Sequence, residues 1–543
     1  RIIAAMTREI RGLHEAAYIL APFTFLPQML ALIRDRAFAH YFGAGPTLDA
    51  YFAAFRIPDA VFAILTLFVS AYALVPMFHA RNGPASPESR TLLGSVLAVF
   101  GAASIIIAAL LFVAAPSLER ILFPGFDADR LASVIMLSRI MLLQPILLGL
   151  SSIVASVVQA TRQFFLYALA PIFYNLGILA GVFFLYPPFG IAGLAWGVVL
   201  GAVLHLLIQG IPLFMNGFPL PTISYAGVRD TMQVVAVSFP RAAALSANQL
   251  LLLAFAGAAS LATAGSVSVV SFAYNLQSVP LSVIGVSYAS ALFPSLALLY
   301  ARGEHDAYMR EVWAAVRHVA FWLAPASTFV IVLRAEIVRT ILGSGSFSWA
   351  DTRLTAAVLA AFVLSLAAQA VILIFARAYY AAGRSFVPVM VNVGAAALTA
   401  VTIFSSVRWF QGADAPRYFL EGLFRIGDIP GTEVLMIALV YSGIYIIAAI
   451  IFAILYARRF GYDARTTRTL ITAFAASIIG AAAAYATLQI VAPYLPVDTF
   501  VGIAFLGLVG CVIGGLAWAG TLWILKSTEL AEIVALVLAR FKG

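Results

Sequence analysis

The chain has 543 residues, of which 63% are hydrophobic and only 10% charged, and its mean hydropathy is +1.02. A soluble domain carries about 25% charged residues, so a water-soluble enzyme or binding module is excluded and a bilayer is required as the main solvent. The formal net charge is +9, and of the 32 basic residues only Lys526 and Lys542 are lysines. In such a chain that charge reads as orientation charge, not as a nucleic-acid surface. Arg1, Arg8 and Arg11 precede the first apolar segment, and an uncleaved start on the cytoplasmic side is expected. The single cysteine, Cys511, lies in an apolar run and has no partner for an intrachain disulfide.

Apolar runs of 18 or more residues recur from end to end, and that is the length a helix needs to cross a membrane. Fourteen spans are predicted, at residues 16–42, 48–79, 91–116, 130–160, 164–186, 189–214, 226–257, 265–300, 308–333, 351–382, 385–409, 433–457, 467–493 and 498–525. The fold class is an all-α polytopic membrane protein. Residues 527–541 are expected to form a short interfacial helix. An even number of spans leaves both ends on one side. The connecting segments of that side hold Arg81, Arg90, Arg162, Arg302, Arg310, Arg384, Arg458, Arg459, Arg465 and Arg468. The other side holds Arg120, Arg130, Arg334, Arg339, Arg353, Arg408, Arg417 and Arg425. With the basic termini included, the bias places both ends in the cytoplasm. The longest outer loop, residues 409–432, reads as a solvated connector or, alternatively, as the seat of a short surface helix.

An internal repeat organises the chain. Ala73-Leu-Val-Pro76 returns 218 residues later as Ala291-Leu-Phe-Pro294, each followed by a basic turn, Ala80-Arg81-Asn82-Gly83 and Ala301-Arg302-Gly303. Pro171-Ile-Phe-Tyr-Asn175-Leu-Gly177 returns 217 residues later as Pro388-Val-Met-Val-Asn392-Val-Gly394. Six spans separate the copies, so the two halves share one topology, and such halves enclose a site whose access alternates. The expected organisation is a lobe at 1–220, a second lobe at 221–460, and an appendage at 461–543 holding the last two spans. This is a transporter architecture.

The first two spans meet at Phe42-Gly43-Ala44-Gly45-Pro46 and carry charge at lipid depth: Arg34, Asp35 and Arg36 on one, Asp49, Arg56 and Asp59 on the other. Ionisable groups at that depth are costly and face a bundle interior or a wet cavity. Asp49, Ala53 and Arg56 share one helical face. One reading is that Arg34, with Arg56, presents guanidinium groups to an anionic substrate, because the planar fork donates two parallel hydrogen bonds to a phosphate. The other is local pairing, of Arg34 or Arg36 with Asp49 and of Arg56 with Asp59. Arg139, Arg241 and Arg377 are further intramembrane cations, and Arg241, next to Pro240, is a candidate anion contact of the second lobe. Asn175, Asn275 and Asn392 read most simply as helix–helix hydrogen-bonding residues. The histidines have no metal-ligand partners at useful spacing. There is no nucleophile motif, no Walker loop and no paired carboxylate in a polar setting, so no enzyme activity, cofactor or ATP-driven pumping is expected.

Several of these segments resemble the MurJ/MviN family, the lipid II flippases of the multidrug/oligosaccharidyl-lipid/polysaccharide exporter superfamily. The residues that carry the likeness are Arg34-Asp35, Phe42-Gly43-Ala44-Gly45, Asp49-Ala-Tyr-Phe-Ala-Ala-Phe-Arg56-Ile-Pro58 and Val75-Pro76. It continues in Ala168-Leu-Ala-Pro171, Asn175-Leu-Gly177, Gly265-Ser-Val-Ser268, Ile284-Gly-Val286 and Leu292-Phe-Pro294-Ser295. Gly345-Ser-Phe347, Asp351-Thr352 and Ala376-Arg377-Ala-Tyr-Tyr-Ala381 complete it, in order over about residues 25–395. The resemblance implies two six-helix lobes plus two helices around a cationic cavity, in the bacterial cytoplasmic membrane. The implied activity is moving a polyprenyl-diphosphate-linked peptidoglycan precursor from the inner to the outer leaflet. Arg34 and Asp49 fall on charged positions tied to flipping. Gln28 stands where the family carries an arginine, Phe62 and Ala63 where it carries a basic pair, Leu67-Phe68 where it has Glu-Gly, and Asn275 where the eighth span has an arginine. Phe255 occupies a position linked to sodium binding.

The expected substrate-binding set is Arg34, Asp49, Arg56, Arg241 and Asn275, with no catalytic or metal-ligating residue. The expected partners are an anionic lipid-linked substrate, membrane lipids and cell-wall synthesis proteins, and no nucleic acid. Two alternatives stand beside the flippase: an antiporter of the same superfamily for a small molecule or another lipid-linked saccharide, and a transport-inactive membrane partner.

Overall fold

The structure is a computed structural model and describes residues 13–69, 71–161, 164–215, 218–219, 221–496 and 499–531. Helices are the only regular elements among the described residues, as an apolar chain in a bilayer requires, because each backbone N–H must find a carbonyl within its own segment. Contacts divide the chain into two units, Arg1–Ser268 and Val269–Gly543.

The first unit contains α1 (Leu13–Phe42), α2 (Pro46–Ala54), α3 (Arg56–Val69), α4 (Ala71–Ala80), α5 (Pro87–Leu122), α6 (Ala128–Met141), α7 (Leu143–Ala160), α8 (Phe164–Ala180), α9 (Ile191–Met215) and α10 (Tyr225–Ala259). α1 stops where Gly43 turns to φ +61°, its N–H closing on the Ala39 carbonyl at 2.9 Å. Gly45 is extended and Pro46 starts α2 at the position where a missing N–H costs nothing. α2 and α3 are separated because Pro58 has no N–H to give the Ala54 carbonyl. The Ser138 hydroxyl from α6 donates to that carbonyl instead, at 3.2 Å. The core of the unit lies between α3, α4, α5, α7 and α10, around Leu65, Phe78, Phe100, Val157 and Val234. The outward face of α5 is apolar and bare, with Ile105, Ile106, Leu110 and Val113 exposed, as a lipid-facing stripe should be.

α8 and α9 touch backbone to backbone. Gly177 and Gly181 face Gly193, Gly197 and Gly201, and a Cβ on Gly197 would lie 2.4 Å from the Gly181 Cα. Lipid gives no hydrophobic drive for helix association, so close packing of small residues has to supply it. Gly197→Ala is expected to push the pair apart and destabilise the unit by about 1–3 kcal/mol, the range for overpacking. Thermal denaturation in detergent checks this, with the equally conservative Gly101→Ala as a control, since a Cβ there meets nothing within 4 Å.

α11 (Ser266–Pro280) begins at the end of the first unit. The second unit continues with α12 (Ser287–Ala301), α13 (His305–Val332), α14 (Arg334–Leu342), α15 (Trp349–Val363), α16 (Leu366–Ala381), α17 (Phe386–Gly412), α18 (Asp414–Phe424), α19 (Leu435–Phe460), α20 (Arg465–Val491) and α21 (Phe500–Ile524). Its core is aromatic: Trp313, Phe375, Tyr379, Phe452 and Tyr456 interlock with centroid distances of 5.0–6.1 Å. α15 and α16 bend by 40° with no proline at the break. Ser365 folds its hydroxyl back to the Phe362 carbonyl at 2.9 Å, and Ser442 of α19 reaches the Ala361 and Phe362 carbonyls at 2.7 and 3.1 Å. Hydroxyls have thus entered the helical ladder, which bends it. The connector at 409–432 holds a surface helix, α18, closed by Arg425 in the left-handed conformation.

Among the described residues eleven helical segments are long and apolar enough to cross a membrane, or twelve with α15 and α16 counted as one span, against fourteen expected from the sequence. α1 and α10 make up the difference in length, at 30 and 35 residues, but both carry ionisable side chains along their course. The expected interfacial helix starts at Thr528 and is described as far as residue 531; the rest of it lies outside the described residues. The repeat has a structural counterpart. Pro76 and Pro294 both lie inside helices, and Asn175 and Asn392 each donate to the proline carbonyl four residues earlier, at 2.9 and 2.8 Å.

Arg317 of α13 is pinned to the start of α20. Its Nη1 lies 2.6 Å from Asp463 and 3.3 Å from the Thr466 hydroxyl. Partial burial works against the Asp463 charge, but hydrogen bonds from the Arg465 N–H and the Arg317 guanidinium outweigh it and hold the carboxyl below its usual range. A carboxyl depressed in the folded state adds stability that is complete above its unfolded pKa, about 4, and is lost as pH falls through the folded value. Asp463→Asn is therefore expected to lower the denaturation temperature at pH 7 and to change it little at pH 3, as read from melting curves of the two proteins.

Candidate functional site

A polar layer crosses the first unit where α1, α2, α3, α7 and α8 meet. Arg34 on α1 donates through Nε and Nη2 to Asp35 Oδ1, at 3.0 and 2.8 Å, and through Nη1 to Asn175 Oδ1 at 3.2 Å. Asn175 gives its amide N–H to the Pro171 carbonyl, so its oxygen is the end left to face Arg34. A guanidinium has five N–H donors. Three are used here, and two have no acceptor among the described residues. The Arg34 side chain keeps 20% of its exposure while Asp35 keeps 3%, so the open donors sit on an accessible group backed by a buried carboxylate. Tyr51 and Tyr174 stand in the field of Arg34 and Asp59. Asp59 lies in the field of Arg56 and Arg34 and accepts from Gln144 Nε2 at 3.1 Å. Arg34, Arg56 and Asp59 thus belong to one electrostatic group.

Asp49 is elsewhere. It is 1% exposed, and neither Arg34 nor Arg36 pairs with it. Its Oδ2 accepts from the Gly265 N–H at 2.6 Å, and its Oδ1 from the N–H and hydroxyl of Ser268, both at 2.8 Å. These are donors of the first turn of α11, which lack partners inside the helix, and a carboxylate also suits the positive end of the helix dipole. Gly265 makes the approach possible. It sits at φ +93°, and a Cβ there would lie 2.2 Å from the Ala44 carbonyl oxygen.

The other expected residues are spread out. Arg56 is half-buried at the start of α3. Arg241 lies on α10, and its side chain falls outside the described part of the structure. Asn275 is half-buried on α11, in the second unit. Arg139 is bound to α5, with Nε 3.0 Å from the Phe112 carbonyl and the guanidinium 4.6 Å above that ring. Arg377 lies 5.8 Å from the Phe293 ring centroid.

The first unit also holds a cavity of about 510 Å³, lined by Phe62, Thr66, Val69, Ala71, Val75, Pro76, Ser152, Ala155, Gln159, Tyr167 and Leu245. Among the described residues, Tyr167 is the only ionisable group that lines it. Phe62, which stands where the resemblance leads one to expect a basic residue, forms part of its wall. The described lining of the cavity offers hydroxyls, an amide and apolar surface.

A family model described as lipid II flippase MurJ matches residues 38–506. The chain belongs to the MurJ family. Among its relatives is a probable lipid II flippase MurJ of Buchnera aphidicola, 27% identical over 377 residues that cover 68% of this chain and 73% of the relative. The lipid II flippase MurJ of Burkholderia cenocepacia is 25% identical over 402 residues, covering 72% of this chain and 77% of that one. Among solved structures, lipid II flippase MurJ in an inward closed conformation aligns with a TM-score of 0.74 at 20% identity, over 95% of this chain and all of that one. An inward-facing multidrug resistance MATE family transporter aligns with a TM-score of 0.65 at 15% identity, over 82% of this chain and 96% of that one. At such identity these two likenesses establish the fold of a MurJ-type exporter and nothing more specific.

Within the MurJ frame, sequence reasoning missed Gln144, Tyr51 and Tyr174 as members of the polar layer. Gln144 was the most findable. It is a polar residue between the α6–α7 break and Pro145, in a segment otherwise apolar.

Proposed function

We propose that this chain translocates a polyprenyl-diphosphate-linked cell-wall precursor, lipid II or a close relative, from the inner to the outer leaflet of the bacterial cytoplasmic membrane. The observation that carries this reading is the match of the lipid II flippase family over residues 38–506. The polar layer supports it. An oxyanion of the diphosphate takes the two open donors of Arg34, with Asp35 and Asn175 holding the guanidinium in place and Arg56 adding positive charge nearby. Arg241 and Asn275 are the proposed contacts further along the chain. The hydroxyls and amide of the cavity beside α3 and α4 suit the sugar groups of the precursor, which need such partners. The lipid tail stays in the bilayer, where the long apolar faces of the helices are exposed.

On this reading 1–220 and 221–460 act as two lobes with alternating access, 461–543 is appended to the second, and both termini lie in the cytoplasm. No bond is made or broken, so the protein acts as a transporter without enzymatic chemistry. Cell-wall synthesis proteins are its proposed neighbours in the membrane.

Complementation tests the proposal. Expressed in a bacterium depleted of its own lipid II flippase, the chain is expected to restore growth and to let labelled precursor reach the outer leaflet chemically unaltered. Membrane insertion at normal levels without rescue would count against it.

A further inference from the structure

The second unit holds a cavity of about 400 Å³ between α13, the start of α20 and the segment after α21. Among the described residues its ionisable lining is Arg317, His318, Arg465, Arg468, Lys526 and Glu529. The carboxylates around it are already engaged. Asp463 holds Arg317 at 2.6 Å and accepts from the Arg465 N–H at 3.1 Å, just ahead of α20. Glu529 lies 4.0 Å from Arg317 and accepts from the hydroxyls of Thr469, Ser527 and Thr528 at 2.6, 3.0 and 3.1 Å. The side chains of Arg465, Arg468 and Lys526 make no hydrogen bond or close ion pair among the described residues, although Arg465 lies in the field of Asp463, and all three are exposed.

Their placement runs against local energetics. Arg465 and Arg468 are one turn apart in the first turn of α20, so like charges adjoin on one helical face. They also stand at the positive end of the helix dipole, where cations are disfavoured. Lys526 adds a third positive charge from a residue at φ +53°. An arrangement that collects repelling charges around a hollow is stabilised by an anion within it.

The surroundings indicate which anion. Trp523, Ile524 and Leu525 precede Lys526 and are 77%, 73% and 39% exposed. Exposed tryptophan beside basic residues at a helix end marks the membrane interface. The hollow therefore has cations on one side and an apolar, lipid-facing surface on the other. We propose that this cavity is a binding site for the phosphate of an anionic phospholipid, held by Arg465, Arg468 and Lys526 with its acyl chains along the end of α21. Basic pockets between spanning helices at an interface are suited to such headgroups. On the orientation proposed above, the lipid belongs to the cytoplasmic leaflet; the site itself does not depend on what the protein transports.

The test uses the full-length protein purified in detergent and titrated with phosphatidylglycerol or phosphatidylcholine, with bound lipid counted by native mass spectrometry. Phosphatidylglycerol is expected to bind selectively. The triple variant R465Q/R468Q/K526Q is expected to weaken it on the order of 100-fold. A second variant with the same change in net charge, R302Q/R310Q/R384Q, is expected to keep the wild-type affinity. Melting curves in phosphatidylcholine confirm that both variants fold. Equal binding of the two lipids, or equal loss in both variants, would overturn the proposal. So would displacement of the lipid by millimolar inorganic phosphate, which would assign the cavity to a soluble anion.

Discussion

Replacing Asp49 by alanine is expected to destabilise the protein by about 3–5 kcal/mol, because it strands three donors in a site that is 1% exposed. The Gly265 N–H, the Ser268 N–H and the Ser268 hydroxyl all point at this one carboxylate. A buried donor left without an acceptor costs about 1–3 kcal/mol, and loss of a helix N-cap alone costs about 0.5–2 kcal/mol. Asp49→Asn keeps one acceptor oxygen and turns an N–H₂ toward the other donors, so an intermediate loss is expected. Ser268→Ala removes one donor together with its need and should cost least. The order Ala, Asn, Ser268→Ala in falling severity, measured by thermal denaturation and hydrogen exchange at the start of α11, separates this fastening from a direct substrate contact. In the latter case stability would be nearly unchanged in all three and only binding would fall.

Arg34→Ala is expected to weaken binding of a diphosphate headgroup by roughly 10–100-fold, the equivalent of the about 1.5–3 kcal/mol carried by hydrogen bonds to a charged group. Arg34→Lys keeps the charge but not the planar fork. With three donors it cannot hold Asp35, reach Asn175 and clasp an oxyanion together, so partial loss is expected. Asn175→Ala leaves the charge intact and frees one anchor of the guanidinium, and its defect should lie between wild type and Arg34→Lys. Headgroup affinity read by titration with a short-chain lipid diphosphate checks the series. An Arg34→Ala protein that binds as tightly as wild type would remove Arg34 from the site.

The two residues also show how far the sequence reaches. Apolar runs of 18 or more residues reveal a polytopic helical protein, since a spanning strand needs only about 9–11 residues and alternates in polarity. The prolines at 76, 171, 294 and 388, with the asparagines at 175 and 392, reveal the repeat, because a proline and a back-bonding side chain leave a local signature. Charges at lipid depth point to the first hairpin. The partner of Asp49 is not legible in this way. It lies 216 residues away at Gly265, and tertiary capping has no local spacing. The only hint is a glycine and two serines before an apolar run, a helix start in need of a cap. The bend at Ser365 is hidden for the same reason, since half of it is made by Ser442, 77 residues further on. The glycine contact between α8 and α9 was present in the sequence as facing small-residue repeats, yet which faces meet is decided only by packing. Arg34 was legible as a cation in the wrong solvent, but its two open donors follow from knowing that Asp35 and Asn175 occupy the other three.

Transport of lipid II is measured most directly as translocation by the purified protein. In vesicles carrying fluorescent lipid II on one leaflet, the wild-type protein is expected to make the headgroup accessible to a membrane-impermeant quencher on the other side, and Arg34→Ala to slow this by at least tenfold. Wild-type protein that binds lipid II but moves it no faster than protein-free vesicles do would rule out transport of lipid II.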